Sequence, residues 1–580
     1  MSKAKKKLLI AFSAAAICGV LAGCGREDDA QQSIDSTKTQ LYVKYYNGGL
    51  RREWIDEICS NFEKDYADYS FETGKVGVQI MKEFEKLPIT ADALPSNQYN
   101  VYIMEGVDYL NFVSKNTLMD ITDVVTSKAP INATEKEEMT IESKMYADSR
   151  DFYNLGTDTS PRYYGIPFYE NACSINYNVD LFDDRCYYFA KDQTAEGWSE
   201  DDLNSYEKVS DLFVTSLDEE KSLGPDGKTG TIDGVDYSWD DGLPATLADF
   251  RALLTYMSSD GVTPIAWNGY ETGYLTSLAL SAWVRSTGYE EMKNILTFSG
   301  TSTKILDLDN DYHPKKDSDG NYIYGSNLEV NSATVGKTHR QKGLLDACEF
   351  VDAITCDKDH YLGKGMTSSF MHTDAQECFV NGMDDLELVD NSPIGMLVEG
   401  TWWNSEATGF YKGNDKMTKK FGIMPIPHAT AAQIGSPNVS LCDRDSSIFI
   451  NAKTPSNRVE AAKTFAAYLN SDRSMNTFSR YTDMVRLMDY ELTDETLSEM
   501  TYYGNRVNKF FHDPNTKHLD WRPLTESAAT KTSALGYRKW GFSIDASNDN
   551  PFDILIKGKA SDGVDLFAKI NKYYDVSWSA

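Results

Sequence analysis

Aromatic, carboxylate and amide side chains recur in five short clusters: Tyr46-Asn47, Glu105 with Asp108, Glu170-Asn171, Trp267-Asn268 continuing to Glu271 and Tyr274, and Trp402-Trp403. A flat ring stacks on the apolar C–H face of a sugar, and carboxylates and amides take up its hydroxyls, so these residue types suit a carbohydrate cleft. The chemistry is binding rather than bond breaking. Taken singly, each tryptophan is more often a core residue than a stacking platform. What unites the clusters is that each stands at the end of a predicted strand.

Catalytic and metal signatures fall short. Gly227-Lys228-Thr229 approaches a phosphate-cradling loop, but Ser222 stands where its first glycine belongs. Cys356 and His360 are one helical turn apart without a second pair to complete a zinc site. The runs Asp307, Asp309, Asp311 and Asp317, Asp319, Gly320 lack the combined glycine and glutamate of a calcium loop and read as solvated acidic turns. No serine sits in a Gly-x-Ser-x-Gly elbow. No metal and no cofactor is expected. With 88 acidic residues, chance carboxylate pairs are everywhere, and the separation that matters in glycoside hydrolysis is spatial. An exported glycoside hydrolase therefore stands as one alternative, and a non-catalytic surface lipoprotein binding a peptide or another solute as a second.

The elements that must position the clusters follow from periodicity. Leu41, Val43 and Tyr45 alternate before Gly48-Gly49, which predicts a strand entering a loop. Trp54, Ile55, Ile58 and Phe62 form a helical stripe, and strands are predicted over 76–81 and 100–106 with a helical stretch after the latter. Strand, helix, strand, strand, helix is an α/β pattern. Leu247, Phe250, Leu253, Leu254 and Met257 predict a second helix, with Thr246 and Asp249 as a capping box and Gly261 as the stop. The Gly- and Asp-rich stretch ahead of it reads as turns or a small hairpin. Near the end, SSIFINAK predicts a buried strand, followed by a helix through Val459, Ala462, Phe465 and Leu469 capped by Ser456 or Asn457.

At the N-terminus, Lys3, Lys5, Lys6 and Lys7 precede the apolar run LLIAFSAAAICGV and then Leu21-Ala22-Gly23-Cys24. That is an export signal over 1–23, too short for a permanent span, and its end resembles a lipobox in which Cys24 carries the lipid. Stable anchoring takes two acyl chains or more. The polar stretch 24–37 reads as a flexible tether. A chain of 580 residues exceeds one core and implies at least two lobes. Its net charge of −31 repels phosphate backbones, so nucleic acid is not an expected partner. The seven cysteines beyond the signal and lipobox show no framework spacing.

The order of segments resembles the carbohydrate solute-binding lipoproteins of ABC importers, the family that includes maltose-binding protein. NVYIMEGVDYLNFVSKNTLMDITDVV is similar to that family's strand, ligand loop and helix, and YYGIPFYENACSINYNVDLFDD to its hinge strand. LPATLADFRALLTYMSSDGVTPIAW, ECFVNGMDDLELVDNSPIGMLVEGTWWNSEA, FGIMPIP and SSIFINAKTPSNRVEAAKTFAAYLNS complete the order. The resemblance implies a periplasmic-binding-protein-like fold: two α/β lobes, 38–168 with 443–485 and 169–442 with 486–580, joined by a multi-crossover hinge with the ligand cleft between them. It implies that Glu105 and Asp108 occupy the first lobe's ligand loop, Glu170 the acidic hinge position, Glu271 and Tyr274 the second lobe's polar and stacking pair, and Trp402 the stacking position of a Gly-x-Trp phrase, with Trp403 able to stack in its place. Met104 departs from the aromatic residue that maltodextrin binders often carry, and insertions near 183–243 and 300–340 have no counterpart in smaller members. The resemblance further implies a monomer on the outer face of the bacterial cytoplasmic membrane, with a carbohydrate ligand, permease subunits as partners and no enzymatic activity.

Overall fold

The computed structural model describes residues 33–46, 48–85, 87, 89–169, 171–214, 220–382, 392–443, 446–520, 541–547 and 549–578. The export signal and Cys24 lie outside the described residues, as do Asn47 and Glu170. Two mixed sheets organise the chain. In chain order their strands are β1 (Thr39–Tyr46), β2 (Val78–Glu85), β3 (Val101–Met104), β4 (Ile166–Pro167), β5 (Asn171–Asn178), β6 (Thr263–Ala266), β7 (Ile394–Gly400), β8 (Phe421–Met424), β9 (Asn438–Asp443), β10 (Ser447–Ile450) and β11 (Thr516–Asp520). The first sheet has the order β2-β1-β3-β10-β4, and the second β6-β7-β5-β9-β11 with β8 also paired to β5.

Parallel pairing of β1 with β2 and β3 requires crossover helices, and helices cover the sheet so that β3 and β10 are buried at every position. The helix α1 (Glu53–Asp65) turns Trp54, Ile55, Ile58 and Phe62 inward, as its stripe predicts. Trp54 meets Tyr45 edge-on at 6.3 Å and Phe478 at 5.2 Å. On the second sheet, α2 (Leu247–Ser259) begins with the predicted reciprocal cap, Thr246 Oγ1 accepting from Asp249 N and Asp249 Oδ2 accepting from Thr246 N. Asp249 also accepts from Ala195 N at 2.7 Å, so the same carboxylate ties down the first insertion. Within that insertion Thr231–Ile232 pairs with Val235–Asp236 as a small hairpin. In the second insertion, Asp309 and Asp317 accept backbone N–H groups from their own turns, which is the work of solvated turn formers. One local expectation is corrected. Ser456 and Asn457 lie in a 3-10 turn, and the helix that follows, Val459–Tyr468, has Arg458 at its N-cap and no side-chain cap, because the tighter turn supplies the entry.

The chain passes between the sheets at β4 to β5, at β9 to β10, and again beyond the helix Asp472–Thr482. These passages lie side by side. Phe168 N donates to Ser446 O at 3.1 Å, Ser446 Oγ to Tyr169 O at 2.8 Å, and Tyr169 bridges Arg486. Arg486, 1% exposed, donates to the Phe168 and Leu469 carbonyls and to Asn470 Oδ1, with its guanidinium 4.4 Å from the Phe168 ring. It makes no ion pair among the described residues, and burial pushes its pKa down to about 9. Arg486→Met removes the donors and leaves two buried carbonyls short of partners, so stability falls by about 2 kcal/mol. Arg486→Lys falls further, because a compact ammonium keeps the buried charge and cannot reach three acceptors. Urea denaturation gives the order wild type, Met, Lys; a lysine variant as stable as wild type contradicts this account.

Candidate functional site

The parallel register of β1 and β3, with Tyr45 opposite Ile103, carries Tyr46 and Glu105 to one edge of the first sheet. Burial, then the Glu105, Glu406 and Glu271 carboxylates, raise the Tyr46 phenol pKa, so these four side chains share one locality. Gly48 is required beside them, since a Cβ there would lie 2.3 Å from the Tyr46 ring. Asp108 is exposed and caps the following helix by accepting from Asn111 N at 3.2 Å.

From the second sheet, β6 leads into Trp267-Asn268. Asn268 Oδ1 accepts from Glu271 N at 2.5 Å, closing a turn that leaves Glu271 exposed, and the helix α3 (Gly273–Thr287) carries Tyr274 in its first turn. The Tyr274 ring meets Trp402 at 5.6 Å and 69°. Trp402 follows β7, and its ring folds back over the strand end, where a Cβ on Gly400 would come within 2.0 Å of it. That contact is the physical reason for a glycine two residues before the tryptophan. Trp402 also packs against the core of the first sheet.

The structure adds four side chains that spacing alone did not disclose. Glu406, at the end of the short helix Trp403–Glu406, accepts from Gln376 Nε2 at 2.8 Å and lies 3.3 Å from His372 Nε2. It reaches the opposite wall too, because a Cβ on Gly49 would lie 2.9 Å from Glu406 Cβ. The Glu406 hydrogen bond raises the His372 pKa. Glu399, second to last in β7, is wholly buried; desolvation and then Glu406 hold its carboxyl pKa well above the usual range. Tyr274 is raised by burial and then by Glu399. Glu399 is readable in the chain only as the residue before Gly400, and Glu406 only as one helical turn beyond Trp402; among 88 acidic residues neither spacing stands out.

The structure therefore brings Tyr46, Glu105, Glu271, Tyr274 and Trp402 together. It does not bring Trp267 or Trp403 to them, which corrects their expected placement. Trp403, 0% exposed, is enclosed by Phe379, Phe421 and Tyr503, because β7 ends at Gly400 and a helical turn swings this ring inward. Trp267, 1% exposed, stacks on Tyr361 at 5.1 Å and against Phe552. Asn171 is buried at the start of β5, opposite Asp443.

No family model matches the chain, and no curated protein matches it. Solved structures do. A solute-binding protein, RafE, in complex with raffinose aligns with a TM-score of 0.51 and 14% identity, covering 93% of this chain and all of that one. A structure from a study of xylan utilisation by Caldanaerobius polysaccharolyticus gives 0.52 at 13% identity over 93% and 98% of the two chains. Maltose-bound MalE3 of T. maritima gives 0.50 at 13% over 93% and 99%. The fold is thus periplasmic-binding-protein-like, with two mixed sheets and three passages between them.

The raised Glu399 pKa gives a signed pH dependence. A carboxyl held neutral in the folded state contributes stability that is fully present below its unfolded pKa and is lost as pH rises through the folded value. Glu399→Gln keeps the shape without the proton uptake. The variant should match wild type near pH about 4 and exceed it in urea midpoint near pH about 8; a variant less stable at the higher pH shows that the carboxylate is needed in ionised form.

Proposed function

We propose that this protein is an extracytoplasmic receptor that captures a carbohydrate, an oligosaccharide, and delivers it to the permease subunits of an ABC importer without transforming it. The observation that carries this reading is the meeting of Tyr46 and Glu105 from one sheet with Glu271, Tyr274 and Trp402 from the other, beside a waist that the chain crosses three times. Rings and carboxylates facing each other across a hinge suit a ligand with apolar C–H faces and a rim of hydroxyls. The structural neighbours that bind raffinose and maltose support the same reading. The leader sequence supports attachment through a lipid on Cys24, with the body a monomer held outside the cytoplasmic membrane. Among the described residues no helix is long and apolar enough to cross a membrane.

Ligand-driven closure is energetically within reach. A micromolar dissociation constant corresponds to about 8 kcal/mol, and swinging a two-state hinge from 1:99 to 99:1 takes about 5.5 kcal/mol of differential affinity. Thermal-shift screening against mono- and oligosaccharides identifies the ligand, and chromatography of the incubated sugar tests for cleavage. Trp402→Ala should then weaken that sugar by at least about tenfold in calorimetry, equivalent to about 1.4 kcal/mol, while the ligand-free melting temperature moves by only a few degrees. Unaltered affinity removes Trp402 from the site, and a cleaved product replaces this reading with a hydrolase.

A further inference from the structure

The two sheets anchor separate cores. One gathers apolar residues from Leu41 to Tyr169 and from Ile448 to Tyr490, and the other begins at Ile175 and includes Met292, Ile295 and Leu296. These halves meet at more than the three passages. Asp148, in the first turn of the helix Ala147–Tyr153, belongs to the first half, because Tyr153 is in that core and meets Tyr109 at 4.8 Å. Lys293, in the helix Tyr289–Thr297, belongs to the second, because Met292, Ile295 and Leu296 of the same helix are buried there. Lys293 Nζ donates to Asp148 Oδ1 at 2.6 Å.

Tyr289 completes the contact. It stands one helical turn before Lys293 and donates its hydroxyl to Asp148 Oδ2, so one carboxylate receives both donors from one helix face. Burial and then this hydrogen bond raise the Tyr289 phenol pKa to about 12. Gly288 sets the presentation: at φ +91° it ends α3 and starts the next helix, a backbone geometry that residues with a side chain rarely adopt. Beside the carboxylate, Tyr146 stacks on His518 of β11 at 6.4 Å and 17°. Two elements of the second half thus hold one short stretch of the first, from Tyr146 to Asp148. The side chains of Asp148 and Lys293 are 25% and 33% exposed, so their pair is shielded better than an ordinary surface ion pair and keeps more of its strength.

Hydrogen bonds of this kind tolerate little stretching. A contact made in one arrangement of two bodies and lost in another shifts the balance between those arrangements by its own free energy. In the arrangement that forms the contact, the cleft walls also touch, since a Cβ on Gly49 would lie 2.9 Å from Glu406 Cβ. We propose that Asp148, Tyr289 and Lys293 form a clasp that holds the two halves in this arrangement and limits how far the waist opens.

The test is small-angle scattering of the full chain without ligand. Lys293→Met and Tyr289→Phe should each raise the ratio of extended to compact forms by about threefold or more and enlarge the radius of gyration, with circular dichroism unchanged. Lys293→Arg, which can still pair with the carboxylate, should keep the wild-type profile. Lys293→Gln repeats the measurement with a neutral polar side chain and should match Lys293→Met. A wild-type profile in the double variant Lys293→Met with Tyr289→Phe overturns the clasp, and so does a smaller radius, which would mean that the contact holds the halves apart. An enlarged radius in Lys293→Arg as well assigns the effect to packing and also overturns it. No sugar is added, so each of these outcomes is independent of the receptor reading, which binding of saccharides tests separately.

Discussion

A single buried guanidinium fixes how the two halves of this fold are joined. Arg486, on the third passage, has no carboxylate among the described residues and spends its donors on Phe168 of the first passage and on Leu469 and Asn470 at the end of the helix Val459–Tyr468. Taking a charge out of water without an opposite charge is costly. Here the cost is offset by several acceptors and by the Phe168 ring beneath it. An apolar residue in its place would pack, yet it would not dictate the register of one passage against another. Because hydrogen bonds are directional, Arg486 does so.

That register determines what reaches the cleft. With the passages fixed at Phe168 and Ser446, β5 starts at Asn171 and runs antiparallel to β7, which brings Cys173 opposite Gly400. Gly400 then decides the fate of two tryptophans. Having no Cβ, it lets the Trp402 ring fold back toward Tyr274 and the first sheet, while the turn that follows sends Trp403 into the core. A single glycine thus separates a ring that faces the other half of the molecule from one that stabilises its own.

The sequence carried much of this and withheld the rest for physical reasons. Strand and helix positions were legible wherever one face is apolar, as in Leu41, Val43 and Tyr45, and the Thr246–Asp249 cap was legible because both partners lie within one turn. Tyr46, Glu105, Glu271, Tyr274 and Trp402 were legible because each follows a strand or opens a helix. Trp403 was not, because two adjacent tryptophans look alike in the chain, and only the turn after Gly400 decides which ring goes inward. Trp267 was not, because its partners Tyr361 and Phe552 are far away in the chain. Glu399, Glu406, His372 and Gln376 escaped for the same reason: their significance is a convergence of three segments, and no local spacing encodes it.

The carboxylates also bear on how such a cleft opens and shuts. Glu105 follows β3 of the first sheet, and Glu271 and Glu406 lie beyond β6 and β7 of the second, so a receptor that closed as proposed above would bring these carboxylates toward one another. Like charges brought together repel, and salt weakens that repulsion where the charges remain exposed. A ligand shifts a conformational equilibrium only by its differential affinity for the two forms. Anything that sits between these carboxylates and satisfies them relieves that repulsion. On the receptor reading proposed above, the same side chains would supply both affinity and a reason for the cleft to open when empty, so recognition and closure would share one set of groups.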